Sequence, residues 1–451
     1  MTNTTRTVLI WLVSIFLALF SPFPILADDD VTFVLRVRPG ALDRVVSEFD
    51  LEVEERIPGQ NVFLVERDDD EEDESSFVDF LAAVRAHPDV LSFEINEAIV
   101  LPEEDDAILK PLVHDGPLSS LLGDRSYLSY YGGTAWTGYV RQPAAGKIGI
   151  AQMHQHGATG SGVVAVIDTG IDPVHPALAG ALVPGYDFVT GSADMVSEIE
   201  TVPSGVSSLL QQSTVAFLDG VPVTLNQRVS ITLAQSTVAF LDGSKVPTSF
   251  GHGTMVAGIV RLTAPTSRIM PLRAFRADGT SDLFHIAQAI YHAAQNGATV
   301  INMSFSLPQE SPELTQAINF ATARNVVCVA SVGNQGHAAT VFPASLPNVI
   351  GVASVGARDQ RSSFSNFGVP LVTVAAPGEG IVTTYPGGGY AAAWGTSYST
   401  PFVAGAVAIL ASRSPNVTPD AADAAVRRAT PLAAELGAGL LNLPLAVPRP
   451  Q

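Results

Sequence analysis

Three short stretches carry residue types that nucleophilic catalysis uses. Residues 163–172 are an apolar run closed by Asp168-Thr169-Gly170, residues 251–258 set His252 between Gly251 and Gly253, and residues 395–405 present Ser397 four positions ahead of Pro401. A serine hydroxyl is a poor nucleophile at neutral pH and needs a base beside it. An imidazole serves when a carboxylate holds its tautomer and stabilises its charged form. The run before Asp168 reads as a buried strand, which puts the carboxylate at the strand's C-terminal end, where open α/β sheets build their sites. His252 leads into an apolar helical segment. Pro401 suits the first turn of a helix, whose unpaired amides can stabilise a developing anion. Each frame also has a structural reading, and a lone histidine between glycines is usually structural.

The surrounding pattern supplies elements to hold such groups. Apolar runs at 163–167, 269–272, 300–303, 326–330 and 349–355 resemble the fully buried strands of a parallel sheet, and helical patterns at 283–295 and 314–324 lie between them. This alternation predicts a doubly wound α/β domain. Upstream, residues 31–102 read as strand, helix, strand, strand or turn, helix and a closing strand at 90–100, a small α+β unit. Residues 101–142 show little periodicity and read as a linker open to cutting. Within the large domain, residues 212–220 (QSTVAFLDG) return as 235–243, read as a pair of similar strands closed by Asp-Gly turns in an insertion at about 196–248.

Composition excludes some functions. The 451 residues are 47% hydrophobic, enough for a large core, with 24 basic and 44 acidic residues and a net charge of -20, so phosphate would repel the chain and nucleic acid is not an expected partner. The charge is concentrated: residues 28–110 hold 25 acidic and 7 basic side chains. Arg6, an apolar run at 8–20 and Ile25-Leu26-Ala27 before three aspartates read as a signal peptide cleaved after Ala27. The alternative, a retained membrane anchor, is opposed by a run shorter than the roughly 20 residues a span needs. Cys328, the single cysteine, excludes an intramolecular disulfide and reads as a buried strand thiol.

The order Asp, His, Ser within these three frames resembles the subtilase family over about residues 146–447. The resemblance implies a subtilisin-like α/β fold, a mostly parallel sheet with helices on both faces, spanning 143–451. It implies a serine endopeptidase acting through Asp168, His252 and Ser397, with an oxyanion hole formed by the Asn334 side chain and the Ser397 backbone N–H. Gly279-Thr280 and Ser304-Phe305-Ser306 match the segments that clamp an extended substrate, with Ala330 and Gly333 beside them. Residues 28–102 resemble in position and size an inhibitory, ferredoxin-like propeptide, followed by the linker at 103–142.

Departures from the family pattern carry their own expectations. Phe305-Ser306-Leu307 in place of Leu-Gly-Gly predicts a bulkier pocket rim. Tyr398 replaces the methionine that commonly follows the nucleophile, and Ala177 in His175-Pro176-Ala177-Leu178 removes a common calcium ligand, so neither metal nor cofactor is expected. The expected product is a secreted or extracytoplasmic monomer, free of the membrane once its signal is removed, acting on proteins or peptides and held by its own propeptide. The competing readings are a binding protein on an inactive protease fold and a surface-tethered form.

Overall fold

The computed structural model describes residues 31–67, 74–101, 126–193, 197–201, 223–225, 229–234, 237–239, 249–414 and 416–447. The proposed signal peptide lies outside them. The chain divides into two compact units, the first ending at Asn96 and the second starting at Glu97.

The first unit runs β1 (Thr32–Val37), a helix (Leu42–Phe49), β2 (Leu51–Arg56), β3 (Val62–Arg67), a helix (Glu74–Ala86) and β4 (Val90–Ile95). Its antiparallel strands are ordered β2-β3-β1-β4, a ferredoxin-like arrangement. Apolar residues at alternate strand positions and on the helices make one core of Phe33, Leu35, Val45, Val65, Val84 and Phe93, with the Phe33 and Phe93 rings stacked at 4.8 Å.

The closing strand expected over 90–100 is two strands. β4 ends at Ile95, and β5 (Ala98–Val100) belongs to the second unit. The break falls where backbone groups take partners from different sheets: Asn96 N–H donates to Thr32 O, whereas the Glu97 carbonyl accepts from Leu283 N–H.

The second unit continues with a hairpin of β6 (Tyr127–Tyr130) and β7 (Gly133–Trp136), then β8 (Val163–Asp168) and β9 (Tyr186–Asp187). Residues 126–142 of the stretch read as a linker thus form a hairpin and a short helix that bury Trp136 and Tyr139. β10 (Val223–Leu225), β11 (Val229–Ala234) and β12 (Thr237–Ala239) form a small antiparallel sheet in the insertion. β12 comes from the second copy of the repeat; the first copy and the Asp242-Gly243 turn lie outside the described residues.

The rest alternates strand and helix: β13 (Arg268–Arg273), β14 (Thr280–Asp282), β15 (Val300–Met303), β16 (Val327–Ser331), β17 (Val349–Val355), β18 (Val374–Pro377) and a hairpin of β19 (Ile381–Tyr385) with β20 (Gly389–Ala393). Seven strands form a parallel sheet ordered β18-β17-β16-β15-β8-β13-β9. After β8 the chain builds one side of the sheet, then returns at β15 to build the other, so the topological switch lies between β8 and β15. Crevices form there, beyond the carboxyl ends of the strands. The helices His252–Thr263 and Thr396–Arg413 pack on each other closely enough that a Cβ on Gly405 would meet Thr263 at 2.5 Å. Cys328 is fully buried in β16, and burial pushes its thiol up to about 12, so it packs as a small apolar residue.

Candidate active site

The three frames converge at the switch point. Asp168 is the last residue of β8, His252 the first of its helix and Ser397 the second of the helix Thr396–Arg413. His252 is placed by its glycines. Gly251 caps the helix at φ 88, a conformation that costs an L side chain energy, and a Cβ on Gly253 would run into the Gly170 carbonyl oxygen. The histidine-between-glycines pattern thus lets the helix start pack onto the loop that follows Asp168.

Asp168 and His252 are each 1% exposed, and His252 Nδ1 lies 2.7 Å from Asp168 Oδ1. The same carboxylate oxygen accepts the Thr169 N–H at 2.8 Å. A carboxylate must accept, so Nδ1 carries the proton, and the lone pair able to take another proton is on Nε2. The Tyr398 ring lies 5.4 Å from the His252 ring, centroid to centroid.

Ser397 is buried, and its Oγ donates to the Ser304 carbonyl at 3.1 Å. Pro401 is not in the first turn as expected, because the helix begins at Thr396 and Pro401 is its sixth residue. A proline there has no N–H for the carbonyl four residues back, which is Ser397. The Ser304 hydroxyl fills that role, donating to Ser397 O at 2.9 Å.

Asn334 follows β16 and is half-buried. Its Oδ1 accepts from Thr396 N–H at 2.9 Å and from Thr396 Oγ1 at 2.8 Å, so the amide orientation is set and Nδ2 remains the outward donor. The Ser397 N–H belongs to the first helical turn, where amides have no partner within the helix.

The residues assigned to substrate divide. Gly279 and Thr280 lie at the start of β14, which pairs with β5 in antiparallel register, Thr280 opposite Val100 and Asp282 opposite Ala98. Leu101 N–H adds a bond to the Gly279 carbonyl at 3.0 Å. Ser306 is half-buried beside Gly333, whose φ of 87 and crowding by Asn366 and Gln335 require a glycine. Ala330 lies inside the sheet, between Met303 and Gly351. Phe305 corrects the expectation of a bulkier rim: it is fully buried, its ring 5.4 Å from that of Phe275, so the added volume goes inward.

Sequence reasoning passed over Glu198, a buried carboxyl bonded to the hydroxyls of Thr169 and Thr254. Its only signal was a carboxylate at the start of the stretch read as an insertion. His175, in the stretch that departs from a calcium-binding pattern, caps its turn by accepting Ala177 N–H at 3.1 Å, while its Nε2 lies 2.8 Å from Gly389 O. Burial lowers its pKa and keeps it neutral. Among the described residues no group of three acidic, histidine or cysteine side chains could hold a metal ion.

A parallel sheet with a buried Asp–His pair and a helix-borne serine at its switch point defines a subtilisin-like α/β architecture. The model described as the subtilase family matches residues 160–442, and the chain belongs to that family of serine endopeptidases. It is 36% identical over 263 residues to a thermophilic serine proteinase of Bacillus sp. (strain AK1), a match covering 56% of this chain and 53% of that protein. Thermitase of Thermoactinomyces vulgaris is 34% identical over 267 residues, covering 57% and 77%. Among solved structures, fervidolysin from Fervidobacterium pennivorans, a keratinolytic enzyme related to subtilisin, shares the fold with a TM-score of 0.67 at 22% identity, covering 94% of this chain and 62% of that one.

Proposed function

We propose that the chain is a secreted, self-processing precursor of a serine endopeptidase that cuts peptide bonds through an acyl-enzyme on Ser397. The observation that carries this reading is the buried bond between His252 Nδ1 and Asp168 Oδ1, which leaves Nε2 as the base for a serine. Rotation about the Ser397 Cα–Cβ bond turns its hydroxyl from the Ser304 carbonyl toward the imidazole. His252 takes the proton as Oγ attacks the scissile carbonyl and then passes it to the leaving amine, while Asp168 stabilises the imidazolium. Water then attacks the acyl carbonyl, giving its proton to His252, which passes it to the departing Ser397 Oγ as the acid is released. Asn334 Nδ2 and the Ser397 N–H stabilise the tetrahedral oxyanion.

Substrate adds as a strand to β14, the mode in which β5 is already bound there. Such backbone pairing accepts many sequences. β5 lies near the end of the stretch 28–102 that resembles a propeptide, and its pairing with β14 supports the reading that this tail inhibits the enzyme until it is cut. Secretion rests on the signal-like residues 1–27.

A fluorophosphonate probe tests the chemistry, because it reacts only with an activated serine. The processed wild type should be labelled at Ser397 and hydrolyse a mixed peptide library, and Ser397→Ala should do neither. A wild type that stays unlabelled would make the fold a binding scaffold.

A further inference from the structure

Glu198 opens a one-turn 3-10 helix and is 1% exposed. Its Oε1 lies 2.5 Å from Thr169 Oγ1, while Oε2 accepts the Thr254 hydroxyl and, at 3.2 Å, the Thr254 N–H. Thr169 directly follows Asp168, and Thr254 comes two residues after His252. Each hydroxyl is also an acceptor: Thr169 Oγ1 receives Gly253 N–H at 3.0 Å, and Thr254 Oγ1 receives Asp172 N–H at 2.8 Å. Thr169 Oγ1 lies as well 3.3 Å from Asp168 Oδ1, the oxygen that holds His252.

A hydroxyl has one proton, so Thr169 can donate to Glu198 or to Asp168 but not to both. Ionised Glu198 only accepts and captures that proton. Protonated Glu198 can instead donate to Thr169 Oγ1, and the Thr169 proton then turns to Asp168. Resting on the assignment of Asp168, His252 and Ser397 above, we propose that Glu198 is a positioning residue which sets, through the single proton of the Thr169 hydroxyl, how much of the Asp168 charge is left to stabilise the His252 imidazolium.

Both forms of Glu198 are accessible near neutrality. Burial raises its pKa to about 7, aided by the Asp168 charge and opposed by the bonds from Thr169 and Thr254. Among the described residues, the charged and titratable groups around it are Asp168 on β8, Asp172 in the following loop, His252 at its helix start, Arg273 on β13 and Tyr385 on β19. Arg273 pairs with Asp187 at 2.8 Å, and burial keeps the Tyr385 phenol neutral. Ionised Glu198 therefore acts in one direction twice: it adds a negative charge near the imidazolium and leaves Asp168 undiluted.

The test is the pH dependence of kcat/KM in the processed enzyme. Glu198→Gln fixes the neutral arrangement, its amide donating to Thr169 and accepting from Thr254. Its acid-side midpoint should fall below that of the wild type by about half a unit to one unit. In a Thr169→Val background the same substitution should shift the midpoint by less than half as much, and in Thr169→Ser, which keeps the hydroxyl, by the full amount. Equal midpoints for wild type and Glu198→Gln, with both labelled stoichiometrically at Ser397, overturn the proposal while leaving the triad standing. Activity retained by Ser397→Ala would instead overturn the triad. Should Glu198→Gln fail to fold, the His252 Nδ1 proton resonance of the wild type decides: a second inflection near neutral pH is expected, and a single one overturns the proposal.

Discussion

Ser304 and Ser397 are tied together twice, the Ser304 hydroxyl donating to the Ser397 carbonyl at 2.9 Å and the Ser397 hydroxyl to the Ser304 carbonyl at 3.1 Å. The first bond exists because Pro401 cannot supply the helical N–H that the Ser397 carbonyl would otherwise accept. Ser304→Ala therefore orphans the buried carbonyl of Ser397, the proposed nucleophile. Its expected cost is about 1–3 kcal/mol of stability, with a fall in kcat larger than any rise in KM. Thermal unfolding with steady-state kinetics checks both, and an unchanged Tm would remove the structural role given to Ser304.

In the proposed reaction Asn334 works at both ends, its oxygen accepting from Thr396 N–H and its nitrogen donating to the oxyanion. Asn334→Asp keeps the acceptor for Thr396 and loses the donor. The loss in kcat should be about 100- to 1000-fold, near 3–4 kcal/mol, with KM little changed and Tm close to that of the wild type. A loss confined to KM would place Asn334 in substrate binding instead.

Tyr398 is buried with its ring 5.4 Å from His252. A thioether at this position would oxidise to a polar sulfoxide next to the reacting serine, whereas a phenol does not follow that route. Dilute peroxide should leave most wild-type activity intact and inactivate Tyr398→Met. Residual activity after timed exposure is the measurement, and equal inactivation of the two forms would count against it.

The buried Glu198 also links folding to pH. Its pKa rises from 4.5 to about 7 on folding, so between those values the folded state holds more protons than the unfolded state. The stability it contributes is complete below pH 4.5 and is lost as pH rises through 7, in total about 3 kcal/mol. Denaturant midpoints of the Ser397→Ala chain, which cannot digest itself, should therefore fall between pH 5 and pH 8 by more than those of the Ser397→Ala, Glu198→Gln chain. Parallel curves would show that Glu198 does not titrate in this range.

Self-processing predicts that Ser397→Ala accumulates as a folded, uncut precursor. The wild type should lose roughly a hundred residues, with a new N-terminus after Leu101 and before Ser126, because the hairpin and short helix that follow are packed through Trp136 and Tyr139. Gel mobility and N-terminal sequencing in a protease-deficient host provide the check. Trimming of the mutant at the same bond and rate would assign the cut to another enzyme.

Much of this protein is set by local rules and can be read along the chain. The buried parallel strands announce themselves as apolar runs, Gly251 and Gly253 mark the one kind of backbone that can start a helix against the Asp168 loop, and the Asp, His and Ser frames fall in a recognisable order. What only tertiary structure decided depends on contacts between segments far apart in sequence. Residues 90–100 have an unbroken strand pattern, yet the backbone changes partners at Asn96, since pairing depends on which edge is open. The volume of Phe305 went inward because Phe275 lies there to receive it. Glu198 reads as one more acidic residue at the start of an insertion until the fold brings it to Thr169 and Thr254 and removes water from all three. Periodicity and residue type act over a few positions, whereas burial and hydrogen-bond partnership belong to the packed chain.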